Sequence, residues 1–319
     1  MRTEDGATDH HVGTDANAAM FFLVLVLVLV SIGVPLAYAW RIVRLREPSL
    51  AGWLIVVAEA TAFVSLVLIV GRWDIAGYYT RFIVLAVFVA AVVRSLRTHA
   101  SLPWRPAEGR SVMRSHATSI GSLVLFVALL AHVISANTPA EAPHRFAFPL
   151  EDGRFMIGQG GSTRILNHHA GHREQRYAVD ISAIGDLGFR AAGILPKELE
   201  RYAIYGATVV SPCAGRVVAA QDGLRDLVPP ESERENPAGN HVVIDCGDVD
   251  VELAHLKAGS VAVSAGERVV VGQMLGAVGN SGNTTEPHLH MHAVDSVNRS
   301  GVPIVFDGGT PARNRLYVE

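Results

Sequence analysis

Four long apolar blocks dominate the first 136 residues: Ala18 to Trp40, Gly52 to Val70, Gly77 to Val93 and Thr118 to Ser135. Each approaches the ~20 residues that cross the hydrocarbon core of a bilayer. The pattern therefore predicts four transmembrane helices, the third short enough to draw on its flanks. A cleaved signal segment would explain one such block but not three more behind it. The first block also follows an acidic leader (Glu4, Asp5, Asp9, Asp15) where a signal peptide has a basic one. From Phe146 onward the blocks give way to short apolar runs punctuated by Gly, Pro, Asn and Asp. Examples are Thr208 to Val210, Arg216 to Ala219, His241 to Ile244, Val249 to Leu253, Val261 to Val263 and Arg268 to Val271. Repeated short strands of this kind predict a mainly antiparallel β domain. Gly185 to Tyr205 reads as an excursion with a helical turn near Pro196 to Arg201, and Leu224 to Asn240 as a long surface loop. The expected division is an anchor over residues 1–136, a Pro/Ala linker over 137–145 and a β domain over 146–319.

Charge sets the expected orientation. Arg41, Arg44 and Arg46 follow the first block, and Arg94, Arg97, Arg105, Arg110 and Arg114 lie between the third and fourth, while the second loop has only Arg72 and Arg81. Positive loops stay in the cytoplasm, so both the N-terminus and the β domain are expected outside it. Glu59 and His132 fall inside apolar blocks and are read as helix-packing or cavity-facing residues. Overall the chain of 319 residues is 50% hydrophobic and 18% charged, with a net charge of -3, which gives no reason to expect a nucleic-acid partner. Two cysteines exclude a disulfide scaffold as the main source of stability. Cys213 and Cys246 each sit in or beside a strand, and either a disulfide between neighbouring strands or two buried thiols fits that placement.

The candidate chemistry lies in histidines. Glu286-Pro287-His288-Leu289-His290-Met291-His292 places three imidazoles on one side of a strand. They make a poor apolar face but good ligands for a borderline metal such as zinc. The preceding Gly276 to Thr285, rich in glycine and small polar residues, can turn tightly and open that strand to a cleft. Two further stretches could complete a site. One is Asn167-His168-His169-Ala170-Gly171-His172, followed by Gln175-Arg176-Tyr177-Ala178-Val179-Asp180, whose carboxylate has apolar flanks and so needs a partner or a metal. The other is His255, within Leu253-Ala254-His255-Leu256.

Taken together, Asn280 to His290, the Leu-Ala-His-Leu around His255 and the Tyr-Ala-Val-Asp ending at Asp180 resemble the lysostaphin-type zinc metalloendopeptidases. The resemblance runs from about Phe148 to the C-terminus, and Val269 to Gly276 is similar to that family's β-hairpin before its active-site strand. It implies a duplicated-hybrid, half-barrel sandwich fold and hydrolysis of bacterial peptidoglycan peptides, in the stem or the cross-bridge, by a zinc-activated water. It implies Asp180 and His290 as zinc ligands and His255 and His288 as catalytic residues. The family's third ligand is a histidine four residues before the aspartate, where this chain has Arg176. A membrane-anchored subgroup instead has Asn-X-His before an insertion. That pattern points to His169, with His168 and His172 as further candidates, and leaves His292 beside the ligands. The implied partners are peptidoglycan peptides outside the cell and the bilayer around the helices, with no nucleic acid. The alternative is a catalytically inactive relative that binds wall or activates another hydrolase. A biotinyl- or lipoyl-type carrier hairpin is also similar over Val263 to Gln273, but the turn lacks the lysine that such carriers modify.

Overall fold

The computed structural model describes residues 19–107, 111–138 and 142–319. The acidic leader, Arg110 and the middle of the linker lie outside them. The chain forms two compact units, one over Leu27–Ala136 and one that contains Asn137–Glu319.

Among the described residues, four helices are long and apolar enough to cross a membrane: α1 (Ala19–Val43), α2 (Leu50–Val70), α3 (Thr80–His99) and α4 (Ala117–Ala136). The third gains its length at the C-terminal end. Arg94 and Arg97, read as loop residues, lie on the last turns of α3 and are exposed. Ser49 starts α2 by accepting a hydrogen bond from the Gly52 N–H at 3.3 Å. Pro35 has no N–H for the preceding turn of α1, and the ladder widens to a π segment over Leu29–Gly33. Glu59 of α2 is 4% exposed. Arg41 of α1 donates to its Oε2 at 2.8 Å and Tyr38 to its Oε1 at 3.2 Å. This is a packing role, with partners 18 and 21 residues away. His132, in contrast, is exposed on α4.

The β unit contains β1 (His144–Phe146), β2 (Arg154–Gln159), β3 (Val179–Ala183), β4 (Thr208–Val210), β5 (Gly215–Gln221), β6 (Asn240–Asp245), β7 (Val249–Leu256), β8 (Arg268–Val269), β9 (Met274–Ala277), β10 (Leu289–Asp295), β11 (Ile304–Phe306) and β12 (Leu316–Val318). Eight strands form one antiparallel sheet in the order β12-β2-β3-β10-β7-β6-β5-β8. The pair β4-β9 forms a second small sheet, and its Val209 and Leu275 enter the same apolar core as Ile181, Leu253 and Met291 of the large one. The expected mainly antiparallel β class holds. Three details differ. Val261 to Val263 forms no strand. β1 and β11 pair in parallel. Val269 to Gly276 is not a hairpin, because β8 joins β5 while β9 joins β4. Gly272, at φ +78°, turns the chain between the two sheets. Cys213 and Cys246 form a disulfide with Cα atoms 6.1 Å apart, tying the entry of β5 to the end of β6.

The site is positioned by the middle of the large sheet. On β10, Leu289, Met291 and Ala293 face the core, which by strand alternation turns His290 and His292 to the opposite face. His290 pairs with Asp180 on β3 and with Ala254 on β7, while His292 pairs with Glu252.

Candidate metal centre and active-site cleft

The structure brings together the five positions that the resemblance implied, His169, Asp180, His255, His288 and His290. His169 Nε2 lies 3.0 and 3.1 Å from the two carboxylate oxygens of Asp180, and His290 Nδ1 lies 2.9 Å from Oδ1. His288 Nε2 approaches the same oxygen at 3.7 Å. The His255 ring is 4.9 Å from that of His288 and 5.8 Å from that of His290. Among the three candidates for the first ligand, His169 is the one whose ring bonds Asp180. His168 is exposed and stacks on His169 at 3.8 Å, with a ligand atom within 4.8 Å of both His169 and Asp180. His172 is exposed at the rim of the cleft. Arg176 packs over the Tyr177 ring at 4.8 Å.

Local structure shows how His169 is brought to Asp180 from outside β3. His169 lies on a single 3-10 turn, His168–Gly171, capped by Asn167, whose Oδ1 accepts from the His169 N–H at 3.1 Å. The Asn167 amide is fully buried and donates to the carbonyls of Gly161 (2.9 Å) and Ala178 (3.0 Å). It thereby clamps the turn to the start of β3, two residues from Asp180. Gln175 hydrogen bonds the His169 ring. The active-site strand is approached through a second close contact. Gly239 (φ +61°) and Gly282 (φ +84°) pack so tightly that a Cβ on either would strike the other loop's backbone. His255 itself adopts φ +65°, a strained conformation held by N–H bonds to and from neighbouring loops. Arg190 bonds Glu286 Oε2 through Nε (2.9 Å) and Nη2 (2.6 Å), which anchors the segment leading into His288.

Electrostatics follow from burial and proximity. Burial opposes ionisation of Asp180, but the imidazoles of His288 and His169 and the hydrogen bonds from His169 and His290 hold its carboxyl well below the usual range. For His169, burial lowers the pKa, yet the charge of Asp180 and hydrogen bonds to Asp180 and Gln175 leave it raised. Burial, reinforced by neighbouring imidazoles, keeps His255 and His292 well below the ordinary histidine value. Backbone carbonyls set the ring tautomers. Carbonyls can only accept, so His255 Nδ1 donates to Ser281 O (2.9 Å) and His288 Nδ1 to Glu286 O (2.9 Å). Each ring keeps Nε2 for the site. His292 Nδ1 lies 3.1 Å from His290 Nε2.

His169, Asp180 and His290 could hold a divalent ion. A tetrahedral zinc with bonds of about 2.0–2.2 Å keeps its ligand atoms roughly 3.3 Å apart, close to the 2.9–3.1 Å found between Asp180 and each imidazole. The cleft in front of these groups has a volume of about 650 Å³. Its walls include His168, His172, Arg173, Gln175, Glu252 and Asn283.

Residues 200–301 match the model of peptidase family M23. The matched stretch carries His255, His288, His290 and His292, whereas His169 and Asp180 lie before it, so the lysostaphin-type resemblance read from the motifs stands for this domain. A segment of 149 residues, 46% of this chain, is 28% identical to peptidoglycan DD-endopeptidase ShyA from Vibrio cholerae. It spans about a third (32%) of that relative's length. Similar solved structures include a zinc-containing peptidase from Vibrio cholerae, with TM-score 0.32 and 20% identity over 50% of this chain and 39% of that one. Lysostaphin from Staphylococcus simulans aligns with TM-score 0.22 and 22% identity over 31% and 40% of the two chains.

Proposed function

We propose that the protein is a membrane-anchored zinc metalloendopeptidase that hydrolyses stem or cross-bridge peptide bonds of bacterial peptidoglycan, with the β unit on the extracytoplasmic side. The match to an M23 model supports the peptidase class. The four apolar helices and the distribution of arginines support the anchor and its orientation. The observation that carries the reading is the convergence on one sheet face of His169, Asp180 and His290, with His255 and His288 turning Nε2 toward the same cleft.

In this reading His169, Asp180 and His290 are the ligands. When bound, zinc supplies a Lewis acid for the scissile carbonyl and a water that ionises near neutral pH. His255, kept neutral by burial, accepts a proton at Nε2. Its Nδ1–H is held by the Ser281 carbonyl, so the ring cannot present the wrong nitrogen. His288, fixed in the same way by Glu286 O, donates or accepts at Nε2 next to Asp180 and offers a hydrogen bond to the developing oxyanion. His292 and Gln175 hold the rings of His290 and His169 in place, as hydrogen-bond partners of metal ligands do.

The test is to purify the full chain in detergent, measure its zinc by elemental analysis and follow peptide release from purified wall with and without chelator. His290→Ala is expected to lose zinc and turnover together, whereas His255→Ala keeps zinc and loses turnover. A zinc-loaded chain that releases no peptide from wall overturns the hydrolase reading.

A further inference from the structure

We propose that Glu252 is a specificity-determining residue of the cleft, which takes a free ammonium group on the substrate peptide close to the scissile bond. The inference rests on the peptidase reading above and names the substrate chemistry that reading leaves open. Glu252 lies on β7, directly across the ladder from His292 and one alternation from Ala254, the partner of His290. It therefore shares the face of Asp180 and His290 and lines the cleft beside them. Its side chain is half-buried. The cleft has two lining carboxylates, and their situations differ. Glu174 stands 3.6 Å from Arg299, which also holds Asp250 at 2.6 Å. Arg173, the guanidinium in the wall, is tied to the Asn298 carbonyl at 3.0 Å. The Glu252 side chain makes no hydrogen bond or ion pair with any described residue.

A half-buried carboxylate without a partner is costly unless a cation arrives to satisfy it. The nearest imidazole does not supply that charge, because His292, across the ladder, turns Nδ1 to His290 Nε2 at 3.1 Å and makes no bond to Glu252. A metal ion has a better seat at His169, Asp180 and His290. What remains is a cation carried by the substrate. A peptide strand laid along the cleft presents every second side chain on one face, about 6.6–7 Å apart, the spacing expected between His290 and His292 on β10. An amine two residues from the reacting bond thus falls opposite Glu252. Lysine-like and α-amino groups fit this site as compact ammonium donors.

The test uses the zinc-loaded full chain in detergent and one cross-linked wall peptide, prepared with its amine free or acetylated. The free amine is expected to be favoured about tenfold in kcat/KM, as for one charge-assisted hydrogen bond. Glu252→Gln, which keeps shape and removes charge, brings the ratio toward one, and Glu252→Lys favours the acetylated form. Equal rates on the two peptides with the unaltered chain, or an unchanged preference in Glu252→Gln, overturn the proposal. If neither peptide is cleaved, the hydrolase reading fails separately. The same ratio is then read from calorimetric Kd values for the two peptides.

Discussion

Asn167→Ala tests how the proposed metal centre is built. The side chain is fully buried and makes three hydrogen bonds: one from the His169 N–H and one to each of the carbonyls of Gly161 and Ala178. At about 1 kcal/mol net per bond, the substitution removes about 3 kcal/mol of order from the 3-10 turn that delivers His169. If all of it is recovered on binding metal, zinc affinity falls roughly 140-fold at 1.4 kcal/mol per tenfold, and smaller coupling gives 10- to 100-fold. The assay is competition between the chain and a chromophoric chelator, with thermal unfolding of both zinc-free proteins as a control. Asn167→Asp keeps the capping oxygen but loses both donors, so it should fall between the two. An Asn167→Ala chain that binds zinc as tightly as the parent would refute the idea that this amide positions the ligand.

Reducing the Cys213–Cys246 bridge, or replacing both cysteines by serine, opens a loop of 33 residues. By loop entropy this removes about 4 kcal/mol, read as a lower denaturation midpoint with wall hydrolysis retained below it. Arg190→Met leaves Glu286 without its guanidinium and should cost about 3 kcal/mol together with lowered kcat, because the segment entering His288 loosens; zinc content should hold. Tyr317, 5% exposed and donating to Gly309 O at 2.8 Å, has its hydroxyl pushed up to about 12, chiefly by burial. Its contribution to stability is complete below pH 10 and lost as pH rises from 10 to 12. Alkaline unfolding should therefore steepen in that window and flatten in Tyr317→Phe, with the late phenolate absorbance step removed.

Much of the architecture was legible along the chain. Twenty-residue apolar blocks have one physical outcome in lipid, and period-two runs broken by glycine and proline have one in water. Apart from Val261 to Val263, which forms no strand, both kinds of element emerged where the pattern put them, with boundaries shifted by a few residues. The hairpin over Val269 to Gly276 failed because strand pairing depends on which edges are open. β8 and β9 find separate partners 50 or more residues upstream, and nothing local reports that. Glu59 had no visible partner for the same reason, since Arg41 reaches it only through helix packing.

At the site, residue chemistry nominated three stretches, 167–180, the surroundings of His255 and 286–292, because carboxylates and imidazoles among apolar residues are too costly to keep without a purpose, and the family resemblance then singled out Asp180, His255, His288 and His290. Three decisions belonged to the tertiary structure. It set the His169 ring against Asp180 through one 3-10 turn clamped by Asn167. It set the ring nitrogens of His255 and His288 through carbonyls at Ser281 and Glu286. It left Glu252 facing the cleft with no partner. Each depends on where loops distant in sequence meet, and a hydrogen bond of 3 Å is decided by that meeting and not by the residues on either side of it.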